Sequence, residues 1–527
     1  MNDSAILPPS EPNRWVVAGA VMLSSFMVFL DTSVVNVSLP YIAGSLSASI
    51  DESTWALTSY LAANAVVLPL AGWLANHFGR KRLMIWSVLT FTAASLLCGL
   101  APTLSTLVLF RVVQGLTGGV MMPLSQSVML EGFPPHERGR AMGFWSVGIV
   151  LAPIMGPVIG GYLTLTYSWR WVFYVNVPVG VLSLIMLQLY VFDPPYIKRP
   201  EGRIDYRGMV LLFLGIAGLQ LLLDKGQEEE WLDSNLIVGC IVVAVVALVW
   251  FVVHELRVHN PVVNLRIFAS ATFAIGSFVS GMLGFLLFGS LIVLPIMLQT
   301  LLGYSPVQAG LAMAPRGIGS LITMPLIGVL TDKIDPRRLL LAGFGIGAVT
   351  MYWLSQLSLD AGYWDFFWPQ FIQGWALGLL FIPLTTLTMA PVRREDMGNA
   401  SSAFNMVRNL GSSIGIAVLS TFMARSAIRH REILAGHFDE YDRTTRSLLE
   451  RMSERWAQHG ADPVEAMTRA GASIAGTIGR QAQLLSYLDA FQLLAVVYLL
   501  MTPLVFVLRW RRVPTGPGPS RLPVGHE

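Results

Sequence analysis

The sequence predicts an all-α polytopic membrane protein with fourteen transmembrane helices arranged six plus two plus six, and three observations carry that expectation. First, 54% of the 527 residues are hydrophobic and only 13% are charged, with a mean hydropathy of +0.60; a soluble chain of this length would form roughly three or four domains and carry far more charge. Second, apolar runs long enough to cross a bilayer recur from one end to the other, separated mostly by short polar loops. Third, residues 69–83 (PLAGWLANHFGRKRL) return as 325–339 (PLIGVLTDKIDPRRL), Gln114-Gly115 as Gln373-Gly374, Gly139-x-Ala141 as Gly398-x-Ala400, and Gly156 as Gly415. A displacement of 256–259 residues means two halves built alike, as in transporters with parallel repeats.

The spans fall near 15–39, 54–75, 83–101, 104–130, 138–162, 170–191, 207–223, 235–253, 272–299, 306–330, 338–357, 366–390, 398–423 and 489–509. Pairing the halves leaves 207–223 and 235–253 as an inserted hairpin. The expected organisation is a cytoplasmic tail (1–14), an N-terminal six-helix bundle (15–191), a two-helix insert with its flanking loops (192–270), a C-terminal six-helix bundle (271–509) with a polar helical hairpin (425–487), and a second cytoplasmic tail (510–527). The start is polar and proline-rich without a cleavable signal, and the run from Trp15 to Pro40 is too long for a signal-peptide core. Loops of one parity hold Arg80, Lys81, Arg82, Arg138, Arg140, Lys198, Arg199, Arg203, Arg207, Arg257, Arg266, Lys333, Arg337, Arg338, Arg393 and Arg394, and the tail adds Arg509, Arg511 and Arg512. The other parity is mainly acidic, with Asp51, Glu52, Glu228, Glu229, Glu230, Asp233, Asp360 and Asp365 against Arg170 and Lys225. The positive-inside rule then puts both termini in the cytoplasm and the 425–487 hairpin outside. The net charge of +3 gives no reason to expect nucleic acid. Cys98 and Cys240 lie in separate apolar runs, so neither a disulfide framework nor a metal site is expected.

Ionisable residues inside apolar spans carry the chemistry. Asp31 stands about sixteen residues past Trp15, roughly 24 Å along a helix, and Arg111 about seven residues, roughly 10 Å, from the outer end of the fourth span. Their depths match, and Gln114 shares a helix face with Arg111. Either the three form a proton-coupling site, or the charges are a static pair that pins helices one and four together. Asp31 aligns with Leu286 or Leu287 in the second half, so the acid belongs to the first half alone. Arg316 and Arg408 are the other deep charges; they either line a substrate cavity between the halves, with Met122, Trp145 and Met406 as adaptable apolar contacts, or bond neighbouring helices. Gly72, Gly79, Arg80 and Arg82, repeated by Gly328, Asp332 and Arg337, mark basic turns that either gate or only set topology. Trp169-Arg170-Trp171 and Asn176-x-Pro178 read as an interfacial anchor. Between Gly148 and Gly161 the fifth span has the sequence GIVLAPIMGPVIGG; glycines and prolines at this density weaken a soluble helix but suit a close-packed membrane helix. In the hairpin, Leu448, Leu449, Met452 and Trp456 recur at helical spacing, as internal packing or as a docking face for a partner, and Asp462-Pro463-x-Glu465 has the pattern of a helix start.

In order along the chain stand LDTSVVNVSLPYI (30–42), WALTSY (55–60), PLAGWLA (69–75), RVVQG (111–115), PLSQS (123–127), APIMGPVIGGY (152–162), WPQFIQG (368–374) and IPLTT (382–386). From about Trp15 to Arg509 the chain resembles the fourteen-span drug:proton antiporters of the major facilitator superfamily, EmrB type. Gly148, Pro153, Gly156, Pro157, Gly160 and Gly161 resemble that group's antiporter motif, read as a kinked fifth helix packed against the other half. The resemblance implies a major facilitator fold and proton-driven export by alternating access in a bacterial inner membrane, without cofactors. It also implies a periplasmic adaptor of the EmrA type and an outer-membrane channel of the TolC type, and it associates the positions of Asp31 and Arg111 with proton coupling. One departure is Asn76, where the superfamily's loop motif usually has an acid; Asp332 holds the equivalent place in the second half. The expected cargo is hydrophobic or weakly acidic toxicants, with a dedicated exporter of one metabolite, such as a fatty acid or siderophore, as the alternative. An envelope scaffold or sensor has no need of the buried charges, and no nucleophile–base set or metal spacing in the loops points to an enzyme.

Overall fold

A computed structural model of the protein describes residues 13–193, 205–227, 229, 231–258, 261–436, 438, 443–458 and 462–508. Lys198, Arg199, Arg203, Gly460, the basic tail residues Arg509, Arg511 and Arg512, the side chain of Pro157 and nearly all of both termini lie outside the described residues. The described residues are helical, with no strand among them.

The first half holds α1 (Arg14–Ser45), α2 (Trp55–Phe78), α3 (Arg80–Leu100), α4 (Leu104–Gly132), α5 (Arg138–Thr166) and α6 (Trp171–Tyr190). The insert is α7 (Tyr206–Lys225) and α8 (Asn235–Arg257). The second half holds α9 (Ala271–Thr300), α10 (Pro306–Lys333), α11 (Pro336–Leu354), α12 (Tyr363–Met389), α13 (Met397–Gly436), the polar α14 (Arg443–Gln458) and α15 (Pro463–Val507). Among the described residues, thirteen helices are long and apolar enough to cross a bilayer. A further 19-residue helix, α11, carries Arg337 and Arg338 in its first turn, which lower its hydropathy, and it packs against α12 and α15 where the eleventh span is expected.

Local sequence explains the breaks. Thr103 and Thr106 form a reciprocal capping box on α4, and Ser305 with Gln308 does the same on α10, where Pro306 opens the helix. In α2, Pro69 has no N–H to give, and the chain tightens to a 3-10 turn over Leu68–Leu70 before resuming. Gly79, at φ 87°, ends α2 and lets α3 start at once.

The two halves pack by the same rule. α1 lies on α5 as α9 lies on α13; α2 on α4 as α10 on α12; α3 on α6 as α11 on α15. The insert helices pack on each other, and α7 also touches α2 and α13. Leu212, Ile216 and Phe251 form one apolar cluster with Ala65, Val66 and Trp73 of α2. The other side of α8 presents Val242, Val245, Val246, Val249 and Trp250 outward, as lipid contact requires.

One large apolar cluster crosses between the halves, joining Met129, Phe133, Met142 and Trp145 to Met324, Ile327, Met389 and Met397. These residues sit at the end of the bundle that carries the basic loops. Towards the opposite end the clusters separate into one for each half. The molecule is therefore closed at its basic end.

The span estimates miss the length of two helices. Hydropathy stops near 423 and starts again near 489, yet α13 continues to Gly436 and α15 begins at Pro463. At 40 and 45 residues they measure roughly 60 and 68 Å, about twice the bilayer's hydrocarbon core. The polar hairpin is thus an extension of two spans. The start of α15 follows the expected pattern, with Asp462 as N-cap, Pro463 in the first turn and Glu465 behind it.

Candidate functional site

Asp31 of α1 and Arg111 of α4 meet in the middle of the N-terminal half, and both are 0% exposed. Arg111 Nη1 donates to Asp31 Oδ2 at 2.5 Å. The other carboxylate oxygen, Oδ1, accepts from Gln114 Nε2 at 2.8 Å and from Asn176 Nδ2 at 2.7 Å. Gln114 also accepts from Arg111 Nη1 at 2.8 Å, as residues three apart on one helix face can. Arg111 Nε donates to the Ala56 carbonyl at 2.8 Å, and the guanidinium carbon lies 4.1 Å from the centre of the Tyr60 ring. Ser95 receives the second Asn176 bond at 3.0 Å and donates to the Phe173 carbonyl at 2.9 Å.

This network has chemical consequences. A buried ion pair is tolerated only when further hydrogen bonds satisfy its remaining valences, and here three donors converge on one carboxylate. Protonating Asp31 would cancel the pair's mutual attraction and leave Arg111 searching for another acceptor. Five of the six helices of this half, α1, α2, α3, α4 and α6, contribute to the cluster, so a change in its charge would bear on all five.

Sequence reading brings Asp31, Arg111 and Gln114 together but misses Asn176, Ser95 and Tyr60. Asn176 is not an interfacial anchor, since it is fully buried beside Asp31. The signal available was an amide inside an apolar run, where polar groups are costly without a task. Trp169 and Arg170 do stack at the outer end, 4.5 Å apart.

The glycine-rich stretch of α5 divides between two partners. A methyl group added at Gly148 would stand 2.6 Å from Met22, at Gly156 2.2 Å from Ser33, and at Gly160 2.9 Å from the Val34 carbonyl. All three partners are on α1, and Ser33 donates to the Pro153 carbonyl at 3.5 Å. The expectation that this motif packs on the other half is corrected for its glycines, whose small face lets α1 approach while Gly161 faces open space; of this stretch Ile154 does reach the other half, at Gly317 of α10. The glycines that meet the other half lie earlier on α5. An added methyl at Gly139 would lie 2.5 Å from the Gly328 carbonyl, and at Gly143 2.9 Å from that of Met324. Asp332 accepts from the Gly139 and Arg140 N–H groups at 3.0 and 3.3 Å, a carboxylate at the start of α5. On the opposite seam Gly72 faces Gly398 and Asn399. Arg80 pairs inside its own half with Glu131 of α4, Arg82 is exposed, and Arg337 is half-buried.

A sequence profile described as Major Facilitator Superfamily matches residues 21–416. This chain belongs to that superfamily. The multidrug export protein EmrB of Escherichia coli (strain K12) is 37% identical over 492 residues, 92% of this chain and 94% of that one. The fatty acid resistance protein FarB of Neisseria gonorrhoeae is 35% identical over 498 residues, 94% of this chain and 96% of its own length. Among solved structures, the human organic anion transporter MFSD10 (TETRAN) aligns with a TM-score of 0.62 at 12% identity, over 95% of this chain and 100% of that one, which shows the shared fold. A major facilitator protein is a membrane transporter, and this chain is one rather than an enzyme.

The remaining candidates of this facilitator lie in or near its second half. Arg316 is 6% exposed and donates to Ser290 Oγ of α9 at 3.0 Å. Arg408 donates to Asn405 Oδ1 at 2.5 Å and to Met122 Sδ at 3.5 Å, with the Phe381 ring 5.1 Å away. It thereby bridges from α13 to α4. Trp145 is fully enclosed at the seam, donating to Ser25 at 3.2 Å and stacking on Phe381 at 6.4 Å, while Met122 and Met406 are half-buried. In the hairpin Leu448, Leu449 and Met452 are half-buried; Trp456 is 37% exposed, with the Arg469 guanidinium 5.3 Å from its ring.

Proposed function

We propose that this chain is a proton-coupled multidrug efflux antiporter that exports hydrophobic or weakly acidic toxic compounds by alternating access. The observation that carries the coupling is the Asp31 cluster: an acid with no exposed surface, tied to Arg111, Gln114 and Asn176. Loading a proton onto Asp31 releases Arg111, and the rearranged cluster shifts the bundle towards its other open state. EmrB, a multidrug export protein, supports the cargo class. The basic loops favour a bacterial inner membrane setting with both termini in the cytoplasm.

The test is gradient-driven transport in inverted vesicles. Asp31→Asn should reach the membrane folded and lose export at every pH. Because the change leaves Arg111 without its anion, it should also cost about 3 kcal/mol or more. Asp31→Asn with Arg111→Gln should recover much of that stability and none of the transport. Export by Asp31→Asn equal to wild type across the pH range would end the proposal.

The protein works here as the inner-membrane part of a tripartite pump, with a periplasmic adaptor of the EmrA type and an outer-membrane channel of the TolC type. The α13–α15 extension is the docking point, and the half-buried Leu448 with the more exposed Trp456 form its contact stripe. Replacing both with polar residues should weaken adaptor pull-down and whole-cell resistance, while vesicles containing the transporter alone keep normal uptake. Loss of vesicle activity with intact adaptor binding would assign the stripe to the transporter's own fold. FarB, a fatty acid resistance protein of similar overall identity, supports the alternative of a dedicated exporter, which a cargo panel in the same vesicles separates.

A further inference from the structure

We infer that Arg316 anchors a carboxylate-binding subsite for the cargo, at the place in the C-terminal half where the N-terminal half keeps its own carboxylate. This rests on the exporter reading above and adds to it the chemistry of one ligand group.

The two halves bury polar clusters on equivalent helices. A methyl added at Gly115 of α4 would stand 2.4 Å from the Tyr60 carbonyl of α2; one added at Gly374 of α12 would stand 2.2 Å from the Arg316 carbonyl of α10. Arg316 therefore occupies Tyr60's place in the repeat. Gln373 repeats Gln114, and Tyr498 of α15 enters from the helix equivalent to the one that supplies Asn176. In the first half, helix α1 brings the cation a carboxylate. In the second half the corresponding helix, α9, brings a hydroxyl, Ser290 Oγ.

The neighbouring acceptors are already engaged. Gln373 Oε1 accepts from Thr350, and the Tyr498 hydroxyl accepts from Gln373 Nε2 at 2.8 Å. Among the described residues no carboxylate lies within 4.0 Å of an Arg316 nitrogen. A guanidinium buried to this degree normally has an anionic partner, because desolvating an unpaired charge is costly. The cargo supplies that partner. Guanidinium favours a planar, two-oxygen acceptor, which a carboxylate supplies. Met313, three residues before Arg316 on the same face of α10, is only partly buried against the apolar cluster of this half, which favours an apolar remainder for the ligand. The next residue, Gly317, packs on Ile154 of α5, so Arg316 stands beside the boundary between the halves and becomes reachable when they part there.

The test compares decanoate with methyl decanoate, which share a chain and differ in charge, on purified transporter in nanodiscs. Wild type should bind decanoate; Arg316→Met should weaken that binding about tenfold or more and leave the ester unchanged. Ser290→Asp is the sharper variant. It supplies the absent carboxylate from within, so it should raise Tm and remove decanoate binding while the ester still binds. Should Arg316→Met fail to fold, Ser290→Asp carries the test alone. Unchanged decanoate affinity in Ser290→Asp, with proton-driven export of a neutral dye intact, would overturn the subsite and leave the exporter reading standing. Wild-type vesicles that export neither the dye nor decanoate would instead overturn the exporter reading.

Discussion

At the basic end the two halves meet along two seams, α5 on α10 and α2 on α13, which the repeat makes equivalent and the side chains make unequal. Both seams are closed by glycine. Gly139 lies on Gly328 in one, and Gly72 lies on Gly398 in the other, with an added methyl 2.5 or 2.6 Å from opposing backbone. Only the first is reinforced by charge, since Asp332 accepts two N–H groups at the start of α5. At the matching place on α2 stands Asn76, whose Oδ1 is buried without a hydrogen-bond partner. Nearby charge on that side is turned inward, with Arg80 held by Glu131 of its own half. Close backbone approach is thus the common mechanism of closure, and electrostatic reinforcement is an addition made to one seam. When the basic end opens, the contact of α2 with α13 has less to give up than that of α5 with α10, while α13 separately gives up the bonds that Ser401 and Asn405 donate to Gln126 of α4.

The largest expected effect comes from breaking what the seams share. Gly139→Ala places a methyl against backbone that cannot rotate away, and α5 must then separate from α10. Overpacking of this kind costs about 1–3 kcal/mol, roughly a 5- to 150-fold shift against the closed form. Gly72→Ala should act similarly on the other seam. Amide hydrogen exchange at the basic ends of α5 and α10, or of α2 and α13, reads the loosening, and transport should fall with it. Gly345→Ala, where an added methyl meets nothing within 4 Å, is the control and should change neither. If Gly139→Ala exchanges and transports like wild type, close approach is not what holds the seam.

Asp332→Asn tests the reinforcement alone. The amide keeps an oxygen for one N–H of α5 but loses the charge that favours a helix start, an effect of about 1 kcal/mol in a partly buried setting. The expected result is about a fivefold rise in exchange at α5 and α10, with α2 and α13 near normal. Equal loosening of both seams would mean that they open as one unit and that the inequality has no mechanical meaning.

Much of this was legible in the sequence because the repeat is explicit there. Gly72 with Gly328, Asn76 with Asp332 and Gly139 with Gly398 all fall at the repeat displacement, and a charge such as Asp31 stands out in an apolar run. What sequence could not assign was the partner. Glycine marks a place of close approach without saying which helix approaches, so α5 presents Gly148, Gly156 and Gly160 to α1 and only Gly139 and Gly143 to α10. Asn176 was obscured for a related reason: an amide near Pro178 at a span end resembles an interfacial turn until α6 is folded against α1. Hydropathy ended α13 too early because it reports on lipid, whereas a helix needs only its own backbone bonds and a neighbour, and α15 continues alongside it.

The smallest and most discriminating change is Asn76→Asp, which gives the second seam what the first already has. Asn76 lies one turn beyond Gly72, so the two share the face of α2 that meets α13. An aspartate there would stand near the first turn of α13 and on the same side as Arg80, whose Nη2 would lie 4.0 Å from a methyl added at Gly398. Both neighbours favour an anion, and the gain should be a few tenths to about 1 kcal/mol. Hydrogen exchange at the basic ends of α2 and α13 should slow, Tm should rise slightly, and the transport rate should fall, because the closed form becomes harder to leave. Combined with Asp332→Asn, the substitution moves the charge from one seam to the other and should restore near-normal transport while reversing which seam exchanges faster. If Asn76→Asp loosens α13, its carboxylate competes with Glu131 for Arg80, and the intramolecular pair rather than the helix start governs that seam.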